Sequence, residues 1–176
     1  MVPGFGFLLN NELTDFNLRP RWDEQRGDPG ANDVAAGKRP RSSITPAILF
    51  ADPGRFQRPI AALGSPGGPT IPNTVLNVIL NLVDHRMPLQ DAIAAPRISL
   101  TSPDDRAETR VEAGFSTDVL ARLRATCSPG VEPPACYRFR EVGEMGSIQA
   151  VVVDPVDDRR YGGADGRREG TVLTPP

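Results

Sequence analysis

Apolar residues in this chain fall mostly in short runs broken by proline and glycine, with one exception at helical spacing. Ile71, Val75, Val78, Ile79 and Leu82 share one face of a helix that begins near Thr70 and ends at Pro88. Leu76, Leu80 and Val83 widen that face until only Asn73, Asn77, Asn81 and Asp84 remain as a polar stripe. Such a helix is expected to be enclosed in a core rather than to lie on its surface. Upstream, Ala47-Ile48-Leu49-Phe50-Ala51 and Pro59-Ile60-Ala61-Ala62-Leu63 flank the turn Asp52-Pro53-Gly54, which predicts a hairpin. Phe5-Gly6-Phe7-Leu8-Leu9 reads as a strand stopped by Asn10-Asn11.

Beyond the long helix, Leu89-Gln90-Asp91-Ala92-Ile93-Ala94-Ala95 predicts a short helix closed by Pro96. Strands are expected over residues 97–100 and 109–112, and a helix over 117–124 with Ser116 as its cap. Ser147-Ile148-Gln149-Ala150-Val151-Val152-Val153 is strongly β in pattern and pairs plausibly with Tyr161-Gly162-Gly163-Ala164. Residues 17–38 carry Arg, Pro, Asp, Gly and Gln and little apolar content beyond Trp22, which predicts a mobile surface loop. No internal repeat is visible. The mixture predicts an α+β fold in a single domain, 1–176, with strands and a helical layer packed together.

Composition narrows the classes. Hydrophobic residues make up 39% of the 176 and charged residues 24%, the balance of a soluble globule. A net charge of −2, with no aromatic and basic interleaving, gives no surface for nucleic acid. No apolar run is long enough to cross a bilayer, and the start has neither the basic region nor the apolar core of a signal peptide. Cys127 and Cys136 can close a short disulfide or remain free thiols; without C-x-x-C spacing or a nearby histidine they do not read as a zinc site, and no cofactor is expected. His85, the single histidine, falls at the end of the long helix, where a cation complements the helix dipole.

Three clusters can carry chemistry. Ser65-Pro66-Gly67-Gly68 lies between an apolar strand and the long helix, so Gly67 and Gly68 can aim consecutive amides at one point before the helix's positive end. That arrangement suits phosphate, carboxylate or the oxyanion of an acyl-transfer intermediate, although it is equally the pattern of a plain tight turn. Glu12 and Asp15 place two carboxylates three residues apart at the end of a strand, able to grip one ammonium, to act as an acid/base pair, or to stand as a solvated turn. Ser42 and Ser43 offer adjacent hydroxyls for a carboxylate, or serve as loop filler. Together they suit acyl transfer from an α-amino acid, but no nucleophile with a partner base is visible.

Leu8-Leu9-Asn10-Asn11-Glu12-Leu13-Thr14-Asp15-Phe16, Lys38-Arg39-Pro40-Arg41-Ser42-Ser43, Gly64-Ser65-Pro66-Gly67-Gly68 and Ala95-Pro96-Arg97 resemble the γ-glutamyltransferase (glutathione hydrolase) family, in its order and near its spacing. Tyr161-Gly162-Gly163-Ala164-Asp165-Gly166-Arg167-Arg168 is similar to that family's terminal segment. The resemblance covers essentially the whole chain and implies part of the small, C-terminal subunit of an N-terminal-nucleophile hydrolase, a four-layer αββα sandwich. It implies that Glu12 and Asp15 bind the α-ammonium of a γ-glutamyl donor such as glutathione, and that Ser42 and Ser43 bind its α-carboxylate. Gly67 and Gly68 would donate amides to the oxyanion, and residues 17–38 would form the lid over the pocket, with Trp22 in place of the family's lid tyrosine. Arg97 and Arg167 read as buried or subunit-bridging ion-pair partners rather than substrate ligands. The large subunit of the same precursor is the expected partner, and family members are usually exported.

The same resemblance places the nucleophile, a threonine freed by self-cleavage, upstream of the segment matching residues 4–16. The expectation is therefore a chain that carries substrate recognition without the attacking atom and is inactive alone. Two other readings remain: a related amidase such as a cephalosporin acylase, and a non-catalytic glutamate-binding module. The paired acids favour an α-amino acyl group over donors that lack an ammonium.

Overall fold

The computed structural model describes residues 3–4, 9–21, 24–25, 27, 30–51, 58–100, 108–127, 136–154 and 156–173. The strand expected at Phe5-Gly6-Phe7-Leu8 and the turn at Asp52-Pro53-Gly54 lie outside those residues, as does Trp22. The chain divides into two compact units, Met1–Ser42 and Ser43–Pro176.

In the first unit, one turn of 3-10 helix spans Glu12–Asp15, where a strand end had been expected for the acid pair. Beyond that turn, described residues gather around Asp33, which is 2% exposed. Its carboxylate accepts from the Asn17 side chain at 2.7 Å and from the amides of Arg21 and Gly30 at 2.6 and 2.9 Å. The Asn17 hydrogen bond and the two amides, with the charge of Lys38, hold the Asp33 pKa below its ordinary value against the opposing pull of burial. Asn32 adds a tie from its side chain to the Asp15 carbonyl at 2.7 Å, and accepts from the Arg41 amide at 2.8 Å.

In the second unit, strands β1 (Ala47–Phe50) and β2 (Pro59–Gly64) form the predicted hairpin. Helix α1 (Ile71–Val83) follows one 3-10 turn at Gly68–Thr70, and α2 (Leu89–Ala94) ends before Pro96. Strands β3 (Ile98–Ser99) and β4 (Thr109–Val111) come next, then α3 (Thr117–Arg124). Strands β5 (Phe139–Glu141), β6 (Gln149–Val153) and β7 (Arg160–Ala164) complete the order. The main sheet is antiparallel throughout, in the order β1-β2-β6-β7, with Leu63 opposite Ala150 and Ala150 opposite Gly163. A smaller sheet, β3-β4-β5, contains a parallel pair through β5, which the sequence pattern did not show. Cys127 and Cys136 are joined, bringing the end of α3 beside the entry to β5.

Helices α1 and α2 cover one face of the main sheet. Leu63, Ile71, Val75, Val78, Ala92, Ile93, Ile148 and Ala150 form the core between them. Val78, Ile93 and Ile148 are wholly buried, each worth about 1.5–3 kcal/mol relative to exposure. Two glycines of β7 set the thickness of this layer. A Cβ on Gly163 would lie 2.5 Å from Ile93 Cδ1, and one on Gly162 would lie 2.3 Å from Val172 Cγ1. The helix and the C-terminal segment thus close on the strand from its two sides.

The expectation that α1 is enclosed along its widened apolar face is corrected by its sidedness. Leu76, Leu80 and Val83 are 49%, 41% and 53% exposed, whereas the asparagine stripe meets protein. Asn73 donates to Ser99 Oγ and the Leu100 carbonyl, both at 3.0 Å. Asn77 donates to the Ile98 carbonyl at 3.0 Å and accepts from its amide at 3.2 Å, and Asn81 donates to the Ala92 carbonyl at 3.2 Å. Spaced four apart, Asn73 and Asn77 complete the hydrogen bonding of a strand too short to pair along its length, and Asn81 ties α1 to α2. Replacing Asn77 by Ala is expected to lower the unfolding free energy by about 1–3 kcal/mol, because the Ile98 amide and carbonyl lose their partner. Leu80→Ala is expected to cost less than about 1 kcal/mol. Urea titrations of the two variants read this order directly, and a larger loss for Leu80→Ala contradicts it.

Candidate active site

The Ser65–Gly68 turn carries the chain from β2 into α1. Gly67 has φ of 144° and Gly68 a φ of 57°, regions closed to most side chains. A Cβ on Gly67 would also sit 2.8 Å from Thr70 Oγ1. The Gly67 carbonyl accepts from Thr70 Oγ1 at 3.0 Å and from the Thr70 amide at 3.3 Å. Ser65 Oγ donates to the Pro66 carbonyl at 2.6 Å and accepts from the Ser147 amide at 2.9 Å. Among the described residues, neither the Gly67 nor the Gly68 amide donates to a protein acceptor. Two adjacent N–H groups ahead of α1 are therefore uncommitted among the described residues.

In the unit Met1–Ser42, Ser42 Oγ donates to Glu12 Oε1, so the structure brings together one predicted acid and one predicted hydroxyl. The Glu12 amide is held by Asn10 Oδ1 at 3.1 Å. Asp15 closes the same 3-10 turn; its carbonyl is held by Asn32, while its carboxylate has no partner among the described residues. Ser43 is half-buried and its carbonyl accepts from Thr45 Oγ1 at 2.9 Å.

Arg97 and Arg167 are indeed ion-pair partners, and the acids they pair with are residues that sequence reasoning left without a role. Arg97, 1% exposed, donates through Nη2 to Asp165 Oδ2 at 2.5 Å and to the Ile93 carbonyl at 2.9 Å. Its Nη1 donates to the Met145 carbonyl at 2.6 Å, and its amide to Glu112 Oε2 at 3.0 Å. Arg167 grips Glu112 through Nε at 3.0 Å and Nη2 at 2.6 Å, and reaches Asp165 Oδ1 at 3.1 Å. Glu112 also accepts from the Met145 amide at 2.6 Å, and Asp165 from the Ile148 amide at 2.8 Å. Residues 145–148 are therefore suspended from this network, and it is this segment that presents Ser147 to Ser65.

Burial alone would raise the Asp165 pKa, but hydrogen bonds from Arg97 and from the Ile148 and Arg167 amides hold it below its ordinary value of 3.8. Burial would likewise lower the Arg167 pKa, and Glu112 and Asp165 raise it instead. The network is structural, with both acids committed as acceptors. Asp165 was visible in the Gly-Gly-Ala-Asp run, yet nothing in local spacing pairs it with Arg97, 68 positions away.

Elsewhere in this unit, Leu49, Leu82, Met87, Leu89, Val152 and Tyr161 line an apolar cleft of about 920 Å³. It lies beside Val152 and Val153, away from the glycine turn, which adjoins the opposite ends of β2 and β6. No group of three or more metal-ligating side chains occurs among the described residues.

The family model described as gamma-glutamyltranspeptidase matches residues 1–174. The chain is 36% identical over 173 residues to the glutathione hydrolase proenzyme of Bacillus subtilis (strain 168), an alignment covering 98% of this chain and 26% of that protein. It is 30% identical over 173 residues to the acylase ACY 1 proenzyme of Pseudomonas sp. (strain SE83), with the same coverage of 98% and 26%. A crystal structure of a mutant Helicobacter pylori gamma-glutamyltranspeptidase superposes with a TM-score of 0.70 at 35% identity, covering 96% of this chain and 85% of that one. The fold is that of an N-terminal-nucleophile hydrolase, α+β in class. The chain belongs to the gamma-glutamyltranspeptidase family, a family of enzymes, and spans about a quarter of the length of the curated relatives it matches.

Replacing Asp165 by Asn is expected to destabilise the fold by about 3–5 kcal/mol, since Arg97 is left as an unpaired buried charge. The folded pKa of Asp165 is depressed, so its contribution is complete above 3.8 and is lost as pH falls through the lower folded value. Melting temperatures measured from neutral pH down to about pH 3 should fall steeply for the parent and less steeply for Asp165→Asn. Parallel acid limbs would contradict the assignment.

Proposed function

We propose that the enzyme to which this chain contributes cleaves γ-glutamyl amides such as glutathione, passing the γ-glutamyl group through a threonine nucleophile to water or to an amino acid. The observation that carries this reading is the pair of uncommitted amides at Gly67 and Gly68, at a helix start, in a chain of this family. In it, Gly67 and Gly68 donate to the oxyanion of the tetrahedral intermediate, an interaction stronger in the transition state than in the bound amide. Glu12 and Asp15 hold the α-ammonium, and Ser42 and Ser43 hold the α-carboxylate. The hydrogen bond from Ser42 to Glu12 supports neighbouring subsites for the two charged ends of one amino acid. Residues 17–38 act as the lid.

The attacking threonine and its free α-amino base come from outside residues 1–176, in the large remainder that this family's length implies. The large subunit of the same precursor is the partner. Ile48, Phe50 and Val151 are 60%, 47% and 45% exposed on the sheet, which supports a covering layer there. The match to an acylase proenzyme favours one alternative, an amidase with a different acyl group. The paired acids Glu12 and Asp15 favour a donor with an ammonium.

The assay is release of p-nitroaniline from γ-glutamyl-p-nitroanilide, with a glutaryl anilide as the competing donor. The complete enzyme is expected to cleave the γ-glutamyl compound and residues 1–176 alone to release nothing. Gly67→Ala keeps the N–H but, at φ of 144° and with its Cβ 2.8 Å from Thr70 Oγ1, displaces it, and in the complete enzyme should lower kcat by about 100-fold, the scale of one lost oxyanion donor. Preference for the glutaryl compound would favour the acylase reading. Release by the isolated chain would show that the nucleophile lies within it.

A further inference from the structure

An oxyanion hole works only if its donors are already aimed, and here both donors belong to the most flexible residue type. Without a Cβ on the donor residue, the peptide ahead of a glycine can rotate at little steric cost, carrying its N–H away from the target. Something outside the two glycines has to hold each amide.

We propose that Ser65 and Thr70 are positioning residues for the two oxyanion amides, each clamping one amide by the carbonyl at the other end of its peptide plane; this rests on the functional reading above. In a trans peptide the C=O and N–H are fixed in one plane and point in opposite directions. The Pro66 carbonyl shares its plane with the Gly67 N–H, and that carbonyl is held by Ser65 Oγ at 2.6 Å. The Gly67 carbonyl shares its plane with the Gly68 N–H, and it is held by Thr70 Oγ1 at 3.0 Å and the Thr70 amide at 3.3 Å. One hydroxyl serves each donor.

The Ser65 hydroxyl is itself directed. It accepts the Ser147 amide at 2.9 Å, so its single proton is turned toward Pro66. Ser147 reaches that position because Gly146 passes the turn closely, at φ of 70°. A Cβ there would meet Ser65 Oγ at 2.6 Å and the Pro66 carbonyl at 3.0 Å. The flanking residues are fixed by the buried ions, Met145 through Arg97 and Glu112, and Ile148 through Asp165. Rigidity thus passes from the buried ion network to the Gly67 amide through the Ser65 hydroxyl. Thr70, 5% exposed, needs no such relay, because α1 holds its backbone.

The test uses the complete enzyme and three variants, with γ-glutamyl-p-nitroanilide as substrate and free glutamate as a ground-state ligand. Thr70→Val keeps the shape and removes the hydroxyl; it is expected to lower kcat about tenfold, less than deleting a donor outright. KM and glutamate affinity should stay within about twofold, because ground-state contacts are untouched. Thr70→Ser, which restores the hydroxyl without the methyl, should recover most of the loss. Ser65→Ala should repeat the kcat effect at the other amide. Wild-type kcat in both Thr70→Val and Ser65→Ala overturns the clamp, as does a Thr70→Ser enzyme as slow as Thr70→Val. A loss that appears in KM rather than kcat overturns it equally. A wild-type enzyme silent toward the γ-glutamyl anilide overturns the functional reading and the clamp with it, whereas an active wild type with indifferent variants removes the clamp alone.

Discussion

A charge pair with almost no access to water, Arg97 with Asp165, is the constraint to which the second unit is fitted. Removing two ions from solvent costs several kcal/mol each, and mutual attraction offsets this only where the remaining polar valences are also satisfied. That condition is nearly met. Arg97 uses Ile93, Met145 and Asp165 as acceptors, leaving only its Nε without a partner, and Asp165 accepts from Ile148 and Arg167 as well. Four pieces of chain far apart in sequence have to arrive together for it to form: the end of α2, the exit of β4, residues 145–148 and the turn after β7. The network therefore specifies tertiary arrangement more than it adds stability.

The order of construction runs outward from there. Buried ions fix the backbone of residues 145–148, that backbone fixes a serine hydroxyl, and the hydroxyl fixes the turn at the head of α1. The helix is set on its other side by the asparagines that complete β3 and α2. What remains uncovered, the leucine and valine edge of α1 and the outward side of β1 and β6, fits a chain that spans about a quarter of the length of its relatives.

Much of this was legible in residue order. The hairpin, the long helix, the helix ending before Pro96, the helix at Thr117–Arg124 and the β6–β7 pair all follow from local periodicity and punctuation. The strand–turn–helix around Gly67 and Gly68 was also readable, because glycines between an apolar strand and an apolar helix restrict what the backbone can do. Three things were not. Strand β5 is short and pairs in parallel with a distant strand, so no alternation announces it. The inward asparagines of α1 defeat a hydrophobicity argument, since the helix contacts a strand end hungry for hydrogen bonds rather than a greasy surface. Asp165, Glu112 and Asp33 acquire their roles from partners brought together by folding, and nothing local distinguishes them from solvent-facing acids.

The adjacent glycines of β7 carry one more consequence. Leu89 and Ile93 press on Gly163 from one side while Val172 presses on Gly162 from the other, so the strand is squeezed to bare backbone at that level. A methyl group gained at either position has to be matched by volume given up across from it, and the two exchanges involve different neighbours. Over evolutionary drift, position 163 should then covary with 89 and 93, and position 162 with 172, as two independent sets meeting in one dipeptide.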